Sequence, residues 1–269
     1  MSTASLPGAA RQPVVFTGHG SPMNAIEDNV YSRGWRALGE ALPTPKAILA
    51  VSAHWYVAGT FVTGQAMPPT IHDFGGFPRQ LFELQYPARG SADLGKRVLQ
   101  LISTLTDPPA SADSSWGLDH GTWSVLTHLR PKADIPVIQL SINGHLAPAQ
   151  HLELGKALRP LRDEGVLVFA TGNVTHNLRA AMNSMRSGDS STPAWAARFD
   201  ADVVGALDQR DHKALLRLLD TEHGRLSHPS PDHWLPMLYA AGAAGDDVVS
   251  YPIMGWDAGS LSMRSVRFG

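Results

Sequence analysis

The 269-residue chain contains no cysteine, which excludes disulfide frameworks, thiolate metal sites and cysteine nucleophiles. Any metal must therefore be held by nitrogen and oxygen. A dominant charge is also missing, because 22 basic and 24 acidic side chains leave a formal charge of −2. These charges are scattered, with no basic stripe to neutralise phosphates, so nucleic acid is not an expected partner. No stretch approaches the roughly 18–20 apolar residues that span a bilayer, and Met1 to Pro13 combine neither a basic start nor a long apolar run. The expectation is a soluble, cytoplasmic protein with no membrane partner. Phosphate loops of the Gly-x-x-x-x-Gly-Lys-Ser/Thr type, His-Glu-x-x-His helices and Gly-x-Ser-x-Gly elbows are absent as well. Gly18-x-Gly20 fails as a dinucleotide fingerprint, since Met23 stands where the third glycine belongs.

What is present is a chain with 43% apolar residues in which short Val- and Ile-rich runs alternate with longer amphipathic stretches. That pattern predicts a single α/β domain, with a mainly parallel or mixed central sheet and helices on both faces. Strands are expected at 13–17, 47–52, 60–63, 136–142, 166–171, 248–252 and 262–268. Helices are expected at 31–41, 92–105, 122–129, 148–162, 193–207, 212–220 and 231–241. Residues 1–12 are expected to form a loose tail ahead of one catalytic domain. Gly64 to Gly90 carry too many Gly and Pro residues for regular structure and too many aromatics for a solvated linker, which suits a long ordered loop over a site. Asn183 to Thr192, rich in Ser and Gly, read as an exposed connection.

Twelve histidines stand out, because imidazole both ligates metals and titrates near neutrality. Three expected strands run into one: 13–17 into His19, 47–52 into His54, and 166–171 into His176. A single such histidine is more often a hydrogen-bonded loop residue than a ligand. In a parallel sheet, however, these strand ends share one edge, where open α/β folds place ligands. A further segment, His228-Pro229-Ser230-Pro231-Asp232-His233, sits at an expected helix start, and with two prolines between them only one of its histidines is expected to reach the site. Asp232 has a capping or dipole role as its plain alternative. His120 follows Asp119 just before another helix, where local capping and substrate binding are equally reasonable. His72, inside the Gly64–Gly90 loop, is a candidate substrate contact. His128, His145, His151, His212 and His223 are assigned to polar faces and connections.

Six segments taken in order carry a resemblance: Thr17-Gly18-His19-Gly20-Ser21-Pro22, Ser52-Ala53-His54-Trp55, Ile71-His72-Asp73-Phe74-Gly75-Gly76-Phe77-Pro78, Asp119-His120-Gly121-Thr122-Trp123, Gly172-Asn173-Val174-Thr175-His176-Asn177 and Pro231-Asp232-His233-Trp234-Leu235-Pro236. From Val14 to about Pro252 the chain resembles the DOPA-dioxygenase type of extradiol ring-cleaving dioxygenases, within the class III family typified by protocatechuate 4,5-dioxygenase.

The resemblance implies a small-molecule catechol such as 3,4-dihydroxyphenylalanine (DOPA), dioxygen as co-substrate, and ring cleavage of the 4,5 type beside the hydroxyls. It also implies one divalent metal per chain, with His19, His54 and His233 as ligands. His176 would be the acid/base residue and a possible fourth ligand, and His120 would orient or polarise the bound ring. The protocatechuate enzymes carry Glu where this chain has His233, and the DOPA-type branch shares the histidine. Three neutral imidazoles accept Zn(II) as readily as Fe(II), but zinc has no redox chemistry, so Fe(II) is expected for dioxygen chemistry. A zinc-dependent hydrolase on the same histidines, and a non-catalytic binding protein like the Memo branch, are the competing expectations. A monomer and a homo-oligomer both fit the sequence.

Overall fold

β-branched residues buried on both sides of a sheet explain the apolar runs. In the computed structural model, which describes residues 11–269, the strands are β1 (Val14–Gly18), β2 (Ala47–Val57), β3 (Phe61–Thr63), β4 (Ser111–Asp113), β5 (Val137–Asn143), β6 (Val166–Gly172), β7 (Val249–Ile253), β8 (Trp256–Asp257), β9 (Leu261–Ser262) and β10 (Ser265–Phe268). Eight of them form one sheet in the order β4-β3-β5-β2-β6-β1-β10-β7, and β8 pairs with β9. The central strands β5, β2, β6 and β1 run parallel. Antiparallel pairings of β10 with β1, β7 with β10 and β3 with β5 make the sheet mixed.

Successive residues of the central strands face opposite sides and build two cores. Phe16, Leu49, Leu140 and Val168 pack with the helices Pro148–Leu158, Ala194–Asp208 and Leu235–Ala244. Val15, Ile48, Val137 and Phe169 pack with Val30–Ala41 and His120–Leu129. The architecture is the expected single-domain α/β fold with helices on both faces. Leu235–Ala244 is buried along its whole length, and its closeness to Pro148–Leu158 depends on glycine. A Cβ on Gly242 would lie 2.8 Å from the Lys156 nitrogen.

Several boundaries differ from expectation, each for a local reason. β2 continues through His54 instead of ending at Ser52, and its register against β5 shifts between Val51 and Tyr56. The result is a bulge of the kind that re-aims a side chain. The helix expected over 148–162 divides at Pro160, which supplies no N–H to continue it, into Pro148–Leu158 and Pro160–Asp163. The helix expected from Pro231 begins at Leu235 with Pro236 in its first turn. A start at 231 would have put Pro236 in the helix interior, where its ring clashes with the carbonyl four residues back. Residues 231–234 are therefore a turn.

Helix 212–220 is split into His212–Arg217 and a 3-10 turn, and the last strand into β9 and β10. Leu178–Ser187 is helical, capped by Gly188 at φ 73°, so the exposed connection is confined to the residues after it. The short helix Arg79–Glu83 interrupts the Gly64–Gly90 loop. The strand β4 and the helix Glu222–Ser227 were not anticipated. Of the tail expected over 1–12, residues 1–10 lie outside the described residues. Gln12 is held, its N–H donating to the Arg162 carbonyl at 3.0 Å and its own carbonyl accepting from Arg162 Nε at 2.8 Å.

Candidate metal centre

Because β1, β2 and β6 are mutually parallel, their C-terminal ends lie on one edge of the sheet. His19 follows β1 directly, with its N–H bonded to the Gly172 carbonyl at 3.0 Å. His54 is carried by the β2 bulge. His176 stands four residues beyond the end of β6, its N–H donating to the Ser227 carbonyl at 2.9 Å. Two more histidines come from other elements. His120 is the first residue of the helix His120–Leu129. His233 lies in the 231–234 turn, and its carbonyl accepts from Asn173 N at 3.1 Å. Gly121 makes the approach of that helix possible, since a Cβ there would meet Ser52 Oγ at 2.7 Å and His54 Cδ2 at 2.8 Å.

The five rings converge. Centroid separations are 4.9 Å for His19–His54, 3.8 Å for His54–His120, 5.2 Å for His19–His233 and 5.1 Å for His54–His233. His176 stacks on His233 at 3.4 Å with the planes 4° apart. The ligand nitrogens of His19, His54 and His120 lie within 4.8 Å of one another. This tight trio shares His19 and His54 with the expected ligand set and adds His120, which the resemblance put on the substrate side. His233 faces both shared members across the cluster.

Partners on the far side of each ring set its tautomer. Thr171 Oγ1 donates to the Gly121 carbonyl at 2.9 Å, so it must accept from His19 Nδ1, 2.9 Å away. Asp232 Oδ2 lies 2.5 Å from His233 Nδ1, with the Ser230 hydroxyl donating to the other carboxylate oxygen. Asp73 Oδ2 stands 3.0 Å from His120 Nδ1 and 3.3 Å from His54 Nδ1, while Oδ1 accepts from the His120 N–H at 2.9 Å. Burial pushes the Asp73 carboxyl up, but its contacts with His120 and His54 outweigh this and hold it below the usual range. The Thr171 hydroxyl and the Asp232 carboxylate accept, so Nδ1 of His19 and of His233 carries the proton and their Nε2 lone pairs are left over. Beside His54 and His120 the Asp73 carboxylate favours the same tautomer by its charge, although His120 Nδ1 makes no aligned hydrogen bond to it.

Those lone pairs point inward. His54 Nε2 and His19 Nε2 are 2.9 Å apart, and two unprotonated nitrogens at that distance repel unless a cation lies between them. His233 Nε2 is buried with no hydrogen-bond partner. Burial, followed by the neighbouring imidazoles, drives His19 and His233 well below the usual histidine range. Burial likewise brings His54 down to about 3 and His176 to about 4, so these four rings are neutral at pH 7. A buried, neutral, all-nitrogen set with its lone pairs unspent fits a divalent transition metal.

The floor under the rings is polar. Asp119 caps its helix by accepting from Thr122 N at 3.1 Å, as the capping alternative expected. It also accepts from Ser52 Oγ at 2.7 Å and Gln139 Nε2 at 2.7 Å. Burial first, then the nearby Asp73 charge, raises its carboxyl above the ordinary range. Other histidines stay outside. His72 Nε2 donates to the Leu84 carbonyl at 3.0 Å, and His228 Nε2 to the Val174 carbonyl at 2.8 Å. Sequence reasoning does not single out Asp73, Thr171 or Gln139. Asp73 stands inside a quoted motif, whereas nothing marks Thr171 and Gln139 among the apolar residues of their strands.

Comparison with known proteins agrees with this geometry. Residues 13–265 match the family model described as the catalytic LigB subunit of aromatic ring-opening dioxygenase. An Escherichia coli K12 protein named 4,5-DOPA dioxygenase extradiol is 47% identical over 266 residues, covering 97% of this chain and 96% of that protein. A Beta vulgaris protein of the same name is 37% identical over 259 residues, covering 94% and 95% respectively. The crystal structure of an uncharacterized Escherichia coli K12 protein superimposes with a TM-score of 0.82 at 44% identity, covering 96% of this chain and 100% of the other.

Proposed function

The chain belongs to the LigB family of aromatic ring-opening dioxygenases, and on that premise we propose that it opens the ring of a catechol such as DOPA beside the hydroxyls, in the 4,5 sense. Dioxygen is the co-substrate, and both of its atoms end in the product. The observation that carries this reading is the inward convergence of unpaired Nε2 atoms at the strand ends. His19, His54 and His233 would hold one divalent metal, with His176 as a possible fourth ligand, and His120 close enough by its nitrogens to share that work or to face the substrate. Bound there, Fe(II) supplies the redox path between catecholate and dioxygen that zinc lacks.

The remaining work falls to side chains of this chain. A catechol binds best once its hydroxyls have lost protons, and His176 is neutral at pH 7, the state in which a ring nitrogen can take one. The same nitrogen returns that proton as the ring opens. His120, with Asp73 Oδ2 3.0 Å from its Nδ1, brings a ring nitrogen within 4.8 Å of those of His19 and His54, where it would orient the bound ring. Phe74 packs edge-on against His120 at 5.4 Å and itself packs against Phe77 and Phe82, which places an apolar wall beside that ring.

The test is anaerobic reconstitution with Fe(II), followed by a panel of catechols under oxygen. The expected result is stoichiometric oxygen uptake with a coloured ring-opened product, and none from zinc-loaded protein. Iron-loaded protein that consumes no oxygen with any catechol would overturn the proposal.

A further inference from the structure

We propose that Asp73 is a positioning residue for this centre: its single carboxylate, brought in by the Gly64–Gly90 loop, holds His54 and His120 in the tautomer that presents Nε2 inward. The cluster is thereby complete only while that loop is docked. The inference rests on the reading of the histidines as a metal centre.

The four rings find the oxygens beside Nδ1 in different places, two as hydrogen-bond acceptors and two as a neighbouring carboxylate. His19 uses Thr171, a residue of β6 in the rigid middle of the sheet. His233 uses Asp232, its own neighbour in the turn. His54 and His120 share one group that neither of their elements supplies. A neutral imidazole without an acceptor at Nδ1 is free to carry its proton on Nε2, and then has no lone pair to give a metal. Losing Asp73 therefore releases two rings at once.

The loop is fastened where it delivers the carboxylate. Ile71 N donates to the Leu118 carbonyl at 2.7 Å, and Leu118 N to the Pro69 carbonyl at 2.8 Å. Trp123 Nε1 donates to the Ile71 carbonyl at 2.8 Å. Asp73 Oδ1 accepts the His120 N–H, so the same side chain also joins the loop to the first turn of the helix. By reciprocity, a metal that needs the docked loop must in turn stabilise it.

Asp73→Asn is the informative variant. It keeps the volume and one acceptor for the His120 N–H, but it cannot accept from both rings. Three measurements follow, none of which reads ring opening. Nitrogen–proton NMR of the metal-free protein should show His54 and His120 protonated at Nδ1 in the wild type, and at least one of them at Nε2 in the variant. The cobalt(II) binding isotherm, read from the visible bands, should weaken by about 10–100-fold in the variant. Hydrogen exchange of the loop amides should slow on cobalt binding in the wild type and much less in the variant.

Wild-type rings protonated at Nε2 would overturn the proposal, and that measurement does not depend on the variant folding. So would a folded variant with wild-type cobalt affinity. A failure of the ring-cleavage reading would appear in the oxygen-uptake assay and leave these three results unchanged.

Discussion

Two kinds of buried histidine occur in this molecule, one at the C-terminal edge of its sheet and one beneath a helix-covered face. His151, in the helix Pro148–Leu158, is fully buried, with Nδ1 3.0 Å from the Tyr239 hydroxyl. Burial brings its pKa down to about 4, the same value as for His176 in the strand-end cluster. A depressed pKa therefore reports desolvation and does not separate the two environments. What separates them is direction. His151 lies against the Tyr239 hydroxyl and the Leu146 backbone inside an apolar core, whereas the cluster brings several ring nitrogens together with carboxylates and a hydroxyl beside the opposite nitrogens.

The strongest way to break this distinction is to remove rings from each environment. His54→Ala and His233→Ala should leave almost no metal on the purified protein by elemental analysis and abolish oxygen uptake. His151→Phe should retain full metal content. Equal metal retention in all three would erase the contrast and the ligand assignment with it. Within the cluster, His176→Ala should keep its metal but lower turnover by about 10²–10⁴-fold, because the proton acceptor is gone while three ligands remain. Loss of metal in that variant would make His176 chiefly a ligand.

The same contrast shows what the sequence can reveal. His19, His54 and His176 were legible because strand ends are marked by apolar runs, and parallel pairing sends those ends to one edge. His233 was legible through its motif. The helix expected from Pro231 begins only at Leu235, so Asp232 has no helix start of its own to cap. In the actual turn Asp232 and His233 contact one another at 2.5 Å.

His151 is assigned to a polar face or a connection by the surface preference of histidine within an amphipathic pattern. That pattern cannot show that a second helix, Leu235–Ala244, covers the side on which His151 lies. Asp73 was missed for a similar reason. Its role depends on where an irregular loop lands, and no periodicity encodes that. Even so, the loop's aromatic and Gly/Pro content correctly predicted an ordered segment over the site.

The apolar side can be perturbed without touching the cluster. Gly242→Val places a branched side chain against the backbone of the neighbouring helix, where Lys156 N would be 2.8 Å from the new Cβ. Overpacking of this kind should cost about 3 kcal/mol in denaturant unfolding. Cobalt affinity at the strand ends should stay within about twofold, as expected of distant sites that share no partners. A parallel loss of affinity would mean that the two regions are mechanically one.

His151 gives the smallest and most specific contrast, through pH. Its folded pKa of about 4 lies below the ordinary value of 6.5, so between those values the unfolded chain binds the proton and the folded protein does not. The stabilisation is fully present above about pH 6.5 and is lost as pH falls towards 4. Between pH 7 and pH 5 the loss attributable to this one group is about 2 kcal/mol. Metal-free wild-type protein and metal-free His151→Phe share the titration of the strand-end cluster, so the difference between their stability curves isolates His151. The variant should lose less stability on acidification over that interval. Identical pH slopes would show that Tyr239 and the surrounding core accommodate a charged ring, and that the back of the sheet is less dry than its packing indicates.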